Sequence, residues 1–491
     1  MSNILDQSAA DLADKIKTKE LSSVEVMQAT LDRIDQVNGT VNAIVSPRAH
    51  EACLADAKAA DETENKGPLH GLPVAIKDLA NADGLHTSMG SPIFEGNIAQ
   101  NDDLFVARMK AAGAIVVGKT NTPEFGLGSH TYNPVHGTTV NPFDPNKSAG
   151  GSSGGAAAAL VTGMVALADG SDMMGSLRNP AAWNNIYGLR PTYGLVPLDM
   201  PGDMFSHQLA VAGPMGRTPR DVAMLLDVQA GFDARHPHSF EQPLASPQLG
   251  GDLEGMRFGW LGDWGGAYAM DAGVLQTCED ALRHFEALGA NVEHIAPPFA
   301  AEQMWESWVK LRAWANAGGK LGLYENPKTR ALLKDDAIWE IETGMALSAI
   351  EVHKMSHIRT QWFTKLNELF AQFDALILPS AQVWPFPKDW TSPSEIAGRG
   401  MDTYHRWMEV VVPASLVGIP ALNIPAGFNE SGLPMGMQIL GPRHSDAKLL
   451  KIGARWHDAC DFKLCKPNLD VLNSNTEDLN STKESTCRFR P

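Results

Sequence analysis

Three serines, one lysine and a run of glycines are the residues of this 491-residue chain whose types and spacing could do chemistry. The stretch SAGGSSGG, residues 148–155, sets Ser152 and Ser153 among glycines; GSDMMGS, residues 170–176, sets Ser176 behind a second small-residue segment. Glycine accepts an entropic cost in exchange for close backbone approach and unusual dihedrals. Both segments offer backbone N–H groups beside a hydroxyl, the parts of an oxyanion hole and its nucleophile. A serine hydroxyl is weak at neutral pH and needs a base. No histidine is obviously paired with these segments, and no G-x-S-x-G elbow surrounds the serines. A lysine can serve if burial lowers its pKa. Lys77 closes the apolar run LPVAI. Side chains alternate along a strand, so Lys77 and Asp78 are expected on opposite faces, and Asp78 need not hold Lys77 charged. Taken singly, a Gly/Ser run is a flexible turn, a strand-closing lysine is solvated, and Ser176 caps a helix. The combination is what points to a nucleophilic enzyme.

The elements that must position these residues follow from the hydrophobic pattern. Short apolar runs at 71–80, 113–120, 374–380 and 432–441 predict buried strands. Ser22–Glu25 fits a capping box, Met27, Leu31 and Ile34 follow at helical spacing, and Asn38-Gly39 reads as the stop. Residues 270–288 predict another helix, and the run AAAALVTGMVAL, 156–167, a buried one too short to cross a bilayer. Strands alternating with helices predict an α/β fold with a mixed central sheet covered on both faces. One catalytic domain over 1–465 and a loose polar tail over 466–491 are expected.

Composition narrows the function class. Lys and Arg number 40 against 57 Asp and Glu, giving a formal charge of −17, which disfavours nucleic-acid partners. The N-terminus lacks a signal-peptide core, so a cytoplasmic protein is expected. Five scattered cysteines without C-x-x-C argue against a thiolate zinc site and a disulfide framework, and His236-Pro237-His238 has no nearby ligand set, so no metal or other cofactor is expected. GAIVVGKT, 113–120, matches the phosphate-loop pattern letter for letter. Its interior, Ala-Ile-Val-Val, should be strand rather than loop, and Pro123 follows where a long helix is required, so a nucleotide site is rejected.

Taken together, GLPVAIKD, GKTNTPEFG, GGSSGG, GSDMMGSLRNPAAWNNIYGLRPTYGLVP and GIPALNIPAGFNESGLPMGMQILG closely resemble the amidase signature family, over about residues 8–460. The resemblance implies a Ser–cis-Ser–Lys triad: Ser176 as nucleophile, Ser152 after a cis Gly151–Ser152 bond as bridge, and Lys77 as base. It implies an oxyanion hole from the backbone of Met173, Met174, Gly175 and Ser176. Asp172 and Arg178 would hold the nucleophile loop, Asn121 would order its neighbour, and Ser153 would support rather than react. One departure stands out: Met174 occupies a position where the family usually has glycine. Either that backbone is strained here, or it tolerates a side chain that shapes the pocket.

Specificity is expected from the middle of the chain. Trp305, Trp308 and Trp314 sit within three turns of a predicted helix, as core or as a substrate wall. Trp384 and Phe386 follow a strand end, where α/β proteins place ligands. These aromatics favour aryl or hydrophobic amides over highly charged ones. The expected protein is a free-standing homodimeric amidase acting on a small-molecule amide away from membranes. The alternatives are the glutaminase component of a glutamine-dependent tRNA amidotransferase complex and a non-catalytic scaffold.

Overall fold

The computed structural model describes residues 4–64, 66–198 and 202–473. A ten-stranded sheet runs through the molecule. Its strands are β1 (Pro73–Lys77), β2 (Ile115–Thr120), β3 (Leu167–Asp172), β4 (Tyr187–Arg190) and β5 (Val211–Gly216), followed by β6 (Arg257–Trp260), β7 (Asn291–His294), β8 (Ala375–Pro379), β9 (Ala421–Phe428) and β10 (Pro434–Leu440). The order across the sheet is β7-β6-β8-β10-β9-β4-β5-β3-β1-β2. Both ends are parallel and the centre is antiparallel, so the sheet is mixed as expected. Each of the four apolar runs forms a strand, trimmed by its flanking glycines and polar residues.

Alternation along β1 divides the core. Val74 and Ile76 belong to one apolar cluster and Ala75 to another, on the opposite face. The second cluster is closed by helices Ser23–Val41, His50–Glu62 and Gly154–Val161; the first by helices including Pro219–Gln229, Val274–Ala287 and Asp446–Ala459. Helices on both faces leave all five β1 residues buried, Lys77 included.

Three local expectations are corrected. The capping box at Ser22 and Glu25 is present, but the helix passes Asn38-Gly39 and ends at Val41. Asn38 instead turns its side chain to the outgoing chain, accepting from the N–H of Ala43 and Ile44, and Asn42 takes the left-handed cap. The apolar run 156–167 is not one helix: it breaks after Val161, turns at Gly163 and enters β3. The chain beyond 465 stays packed through the short helix Leu469–Leu472, whose Leu472 is fully buried in the second cluster; residues 474–491 of the expected tail lie outside the described residues. Cys53, Cys278 and Cys460 are buried free thiols, while Cys465 is in a disulfide. No helix among the described residues is long and apolar enough to cross a membrane.

Candidate active site

Lys77 ends β1 with its side chain entirely inside the protein, aimed at hydroxyls. Its Nζ lies 2.7 Å from Ser152 Oγ, 2.9 Å from Ser153 Oγ and 3.0 Å from Ser171 Oγ. Burial pulls the ammonium pKa down to about 7, against the opposing pull of Asp169 and Asp172. Neither acid contacts the ammonium: Asp169 accepts from the backbone N–H of Lys77 at 2.8 Å. Asp78 faces away, as alternation predicted, and binds Ser88 and Lys119.

The Gly/Ser segment explains its own composition. The Gly151–Ser152 peptide bond is cis. Ser153 precedes the helix Gly154–Val161, and a Cβ on Gly155 would stand 2.3 Å from the backbone nitrogen of Asn121, so only glycine allows this approach. Asn121 ties the neighbouring loop together. It donates to Gly137 O and Thr139 Oγ1, accepts from Asn133 Nδ2, and its carbonyl takes the Gly155 N–H.

Ser176 follows β3 across a tight turn. Its carbonyl accepts from the Ser153 N–H at 3.3 Å, which pins the two serine segments to each other. The residue is 6% exposed, and its hydroxyl has no hydrogen-bond partner among the described residues. Asp172 organises the turn. It accepts from the N–H of Gly175 and Leu177 and pairs with Arg178 and Arg190, all at zero exposure. Burial opposes its ionisation, but the two guanidiniums overcome this and hold the carboxyl well below the usual range. Arg178 reaches on to Val411 O, Gln438 Oε1 and Ser415 Oγ, which anchors the turn to β10 and the segment before β9.

The proposed oxyanion donors are therefore not equivalent. The Gly175 N–H is occupied by Asp172 at 2.8 Å, whereas those of Met173, Met174 and Ser176 enter no hydrogen bond among the described residues. Gly175 carries the left-handed backbone of the turn, φ +80°, and its missing Cβ would press on Val411 at 2.9 Å. Met174 has no such conformation; it is buried, with its sulfur 3.1 Å from Trp308 Nε1. The second of the two readings of Met174 is the one the geometry favours: the position tolerates its side chain.

The expected pocket aromatics are dispersed. Trp384 turns its indole N–H to Ala272 O, on a loop remote in sequence from the serine segments. Trp305 packs on His405, beneath Arg406, and is core, as is Trp308. Phe386 is buried among His130, Trp183 and Trp407. His130 and Trp407 line a cavity with Tyr132 and Tyr404, and the loop bearing His130 packs against Gly151. Thus Phe386 is buried behind that cavity, whose lining also includes Lys334 and Asp336. Sequence reasoning missed Ser171 and Arg190. Ser171 lies within the quoted GSDMMGS, and period-two alternation in β3 could have exposed it. Arg190 closes a buried strand as Lys77 does.

Lys119 of the phosphate-loop look-alike sits on β2 at zero exposure, bonded to Thr87 Oγ1 at 2.9 Å and to the Ala80 carbonyl. Among the described residues no group of His, Cys, Asp or Glu is arranged to hold a metal ion.

Known proteins resemble this chain along nearly its whole length. A family model described as Amidase matches residues 25–450. An acylamidase from Rhodococcus erythropolis is 34% identical over 91% of this chain and 94% of its own length. The glutamyl-tRNA(Gln) amidotransferase A component from Thermus thermophilus is 34% identical over 92% of this chain and 97% of its own. The crystal structure of a bacterial aryl acylamidase assigned to the amidase signature enzymes superposes with a TM-score of 0.87 at 29% identity, covering 96% of this chain and 99% of that one.

Proposed function

The chain belongs to the amidase signature family of hydrolases acting on C–N amide bonds, and from that premise we propose that it cleaves small amides through an acyl-enzyme on Ser176. The observation that carries this reading is the contact of Lys77 Nζ with Ser152 Oγ at 2.7 Å, in a setting that lowers the lysine pKa to about 7. Neutral Lys77 accepts a proton from Ser152 as Ser152 takes one from Ser176. Ser176 Oγ, without a hydrogen-bond partner among the described residues, rotates onto Ser152 Oγ and attacks the amide carbonyl. The N–H groups of Met173, Met174 and Ser176 receive the oxyanion; each such donor is worth about 3–4 kcal/mol of barrier. The wire returns a proton to the departing amine, and water then attacks the acyl-enzyme. Arg178 and Asp172 act by holding the turn, Asn121 by holding the facing loop, and Ser153 by bracing Lys77 and Ser176 together.

Aryl or hydrophobic acyl or amine groups are the preferred class, supported by the likeness to a bacterial aryl acylamidase. The proposed enzyme is a cytoplasmic homodimer without a cofactor, its catalytic domain continuing past residue 465 through the short helix Leu469–Leu472. A fluorophosphonate probe tests the nucleophile: labelling mapped to Ser176, absent in Ser176→Ala along with turnover, is expected. Labelling elsewhere would refute the assignment.

A second reading has support in the similarity to the Thermus amidotransferase component: a glutaminase that hydrolyses glutamine for partner chains. The mass of the native assembly separates the two. A particle of this chain alone supports the free-standing amidase, and co-purification with two other chains supports the amidotransferase complex.

A further inference from the structure

The helix Ala301–Glu325 carries Arg312, Asn316 and Lys320 at four-residue spacing, which aligns them on one face. The outer two fix what that face looks at. Arg312 NH1 reaches Met173 Sδ at 3.4 Å, on the turn that leads to Ser176. The Lys320 ammonium stands 5.7 Å from the centre of the Phe125 ring. The next residue, Gly126, abuts the bridging serine: an added Cβ would lie 3.4 Å from Ser152 Oγ. Asn316, between the two, therefore faces the gap between the Met173 turn and the Phe125 loop, which is the approach to Ser152 and Ser176.

Arg312 is committed to structure, bonded to Glu340 at 2.6 Å and Tyr404 at 2.8 Å. Asn316 is not. Lys320 donates to its Oδ1 at 2.7 Å, which assigns the amide, since an ammonium only donates. The Nδ2 branch therefore points away from Lys320. Nδ2 has no partner among the described residues although the side chain is 4% exposed. A buried donor left unmet by the protein calls for a ligand, an ion or an ordered water. Burial lowers the Lys320 pKa to about 8, opposed by Glu340, so the ammonium still carries charge at neutral pH.

We propose that Asn316 Nδ2, backed by Lys320, binds a second oxygen of the substrate, a carbonyl or carboxylate oxygen lying beyond the scissile amide. The preferred substrates are then amides with an apolar or aryl group on one side and an acceptor oxygen on the other. Asn316 touches substrate in this arrangement and acts on specificity rather than on the proton wire. The inference rests on acylation at Ser176.

Two matched pairs of amides test it. Succinyl and butyryl p-nitroanilides differ by a carboxylate in place of a methyl on the acyl side. N-butyryl 4-aminobenzoate and N-butyryl 4-toluidine differ likewise on the amine side. The wild-type enzyme is expected to favour the carboxylate member of at least one pair by about tenfold in kcat/KM. Asn316→Asp, equal in shape but without donors, is expected to bring that ratio to about one or below, with the change mainly in KM. Lys320→Ala, at a partly buried position, reads the same ratio should Asn316→Asp fail to fold, and is expected to lower it. Ratios near one in both wild-type pairs, or an unchanged ratio in the variant that folds, overturn the proposal. So does wild-type enzyme that turns over none of the four while fluorophosphonate still labels Ser176. Loss of that labelling would instead bring down the acylation reading itself.

Discussion

Lys77 and Lys119 are the same residue type, on adjacent parallel strands, both wholly buried, and they have opposite surroundings. Their backbones are nearly side by side: Ile76 pairs with Lys119 and Lys77 with Thr120. Between Val74 and Ala75 the register slips by a residue, so that Gly118 rather than Val117 faces Ala75. This bulge reverses the alternation of β2. It sends Lys119 to the face occupied by Asp78, and leaves Lys77 on the other face with three serine hydroxyls. Lys119 meets a carboxylate at 3.5 Å, a carbonyl and a threonine; Asp78 is held below the usual carboxylate range although burial opposes it, with His136 and Lys119 helping. One lysine ties a loop to a strand as part of an ion pair. The other has no acid in contact with its ammonium among the described residues, which is what a base near neutrality requires. The difference teaches that burial alone does not make a base; the strand register chooses the partners.

The comparison can be broken most directly by exchanging function for stability. Lys77→Met and Ser176→Ala are expected to lower kcat at least about 10⁴-fold with little change in unfolding midpoint. Lys119→Met is expected to retain the proton wire but cost about 3 kcal/mol in urea unfolding, because Asp78 is left buried without its cation. If Lys119→Met silenced turnover in a stably folded protein, the division between the two lysines would fail.

The pH dependence sharpens the same contrast. Protonated Lys77 cannot accept a proton, and its pKa lies near 7 because burial disfavours the charge. Hence kcat/KM should rise with pH through an acid limb near 7 and sit about 100-fold below its plateau two units lower. A flat profile between pH 5 and 8 would remove Lys77 as the base.

Smaller effects probe the turn and the hydroxyl cluster. Gly175→Ala places a Cβ against Val411 in a left-handed backbone, which costs about 1–2 kcal/mol. By displacing Ser176 it is expected to lower kcat by about 100-fold; an unimpaired kcat would show that the turn geometry is not needed. Ser171→Ala deletes one of the three hydroxyls around Lys77 Nζ. Hydroxyls accepting from the ammonium favour its charged form, so the acid limb should move down by less than about one unit. A limb that moves up would mean that Ser171 instead opposes charge on Lys77.

The most legible features were those written within a few residues. The apolar runs marked β1, β2, β8 and β10, and their alternation with helices gave the α/β fold. The interior Ala-Ile-Val-Val of the phosphate-loop look-alike correctly read as strand. The serine segments, by their glycines, announced close packing, and the Lys77–Asp78 alternation was readable because a strand has a fixed period. The stop at Asn38-Gly39 misled because Asn38 spent its side chain on residues after the helix, and the run 156–167 misled because composition is blind to the turn at Gly163. Trp384 and Trp305 were less legible for a different reason: an aromatic residue near a strand end or on a helix does not record which way it points.

By itself, then, the sequence determined the chemistry on offer: a lysine in an apolar strand, hydroxyls in glycine-rich turns, and a fold able to bury them. Only the tertiary structure decided who meets whom. It brought Ser171 to Lys77, joined Arg178 to Gln438, let Met174 settle beside Trp308, and left Asn316 Nδ2 without a partner among the described residues. The physical reason is range. Strand period, capping and turn preference act over a handful of residues, whereas these contacts join segments far apart in sequence, and their partners are set by register and packing of the whole sheet.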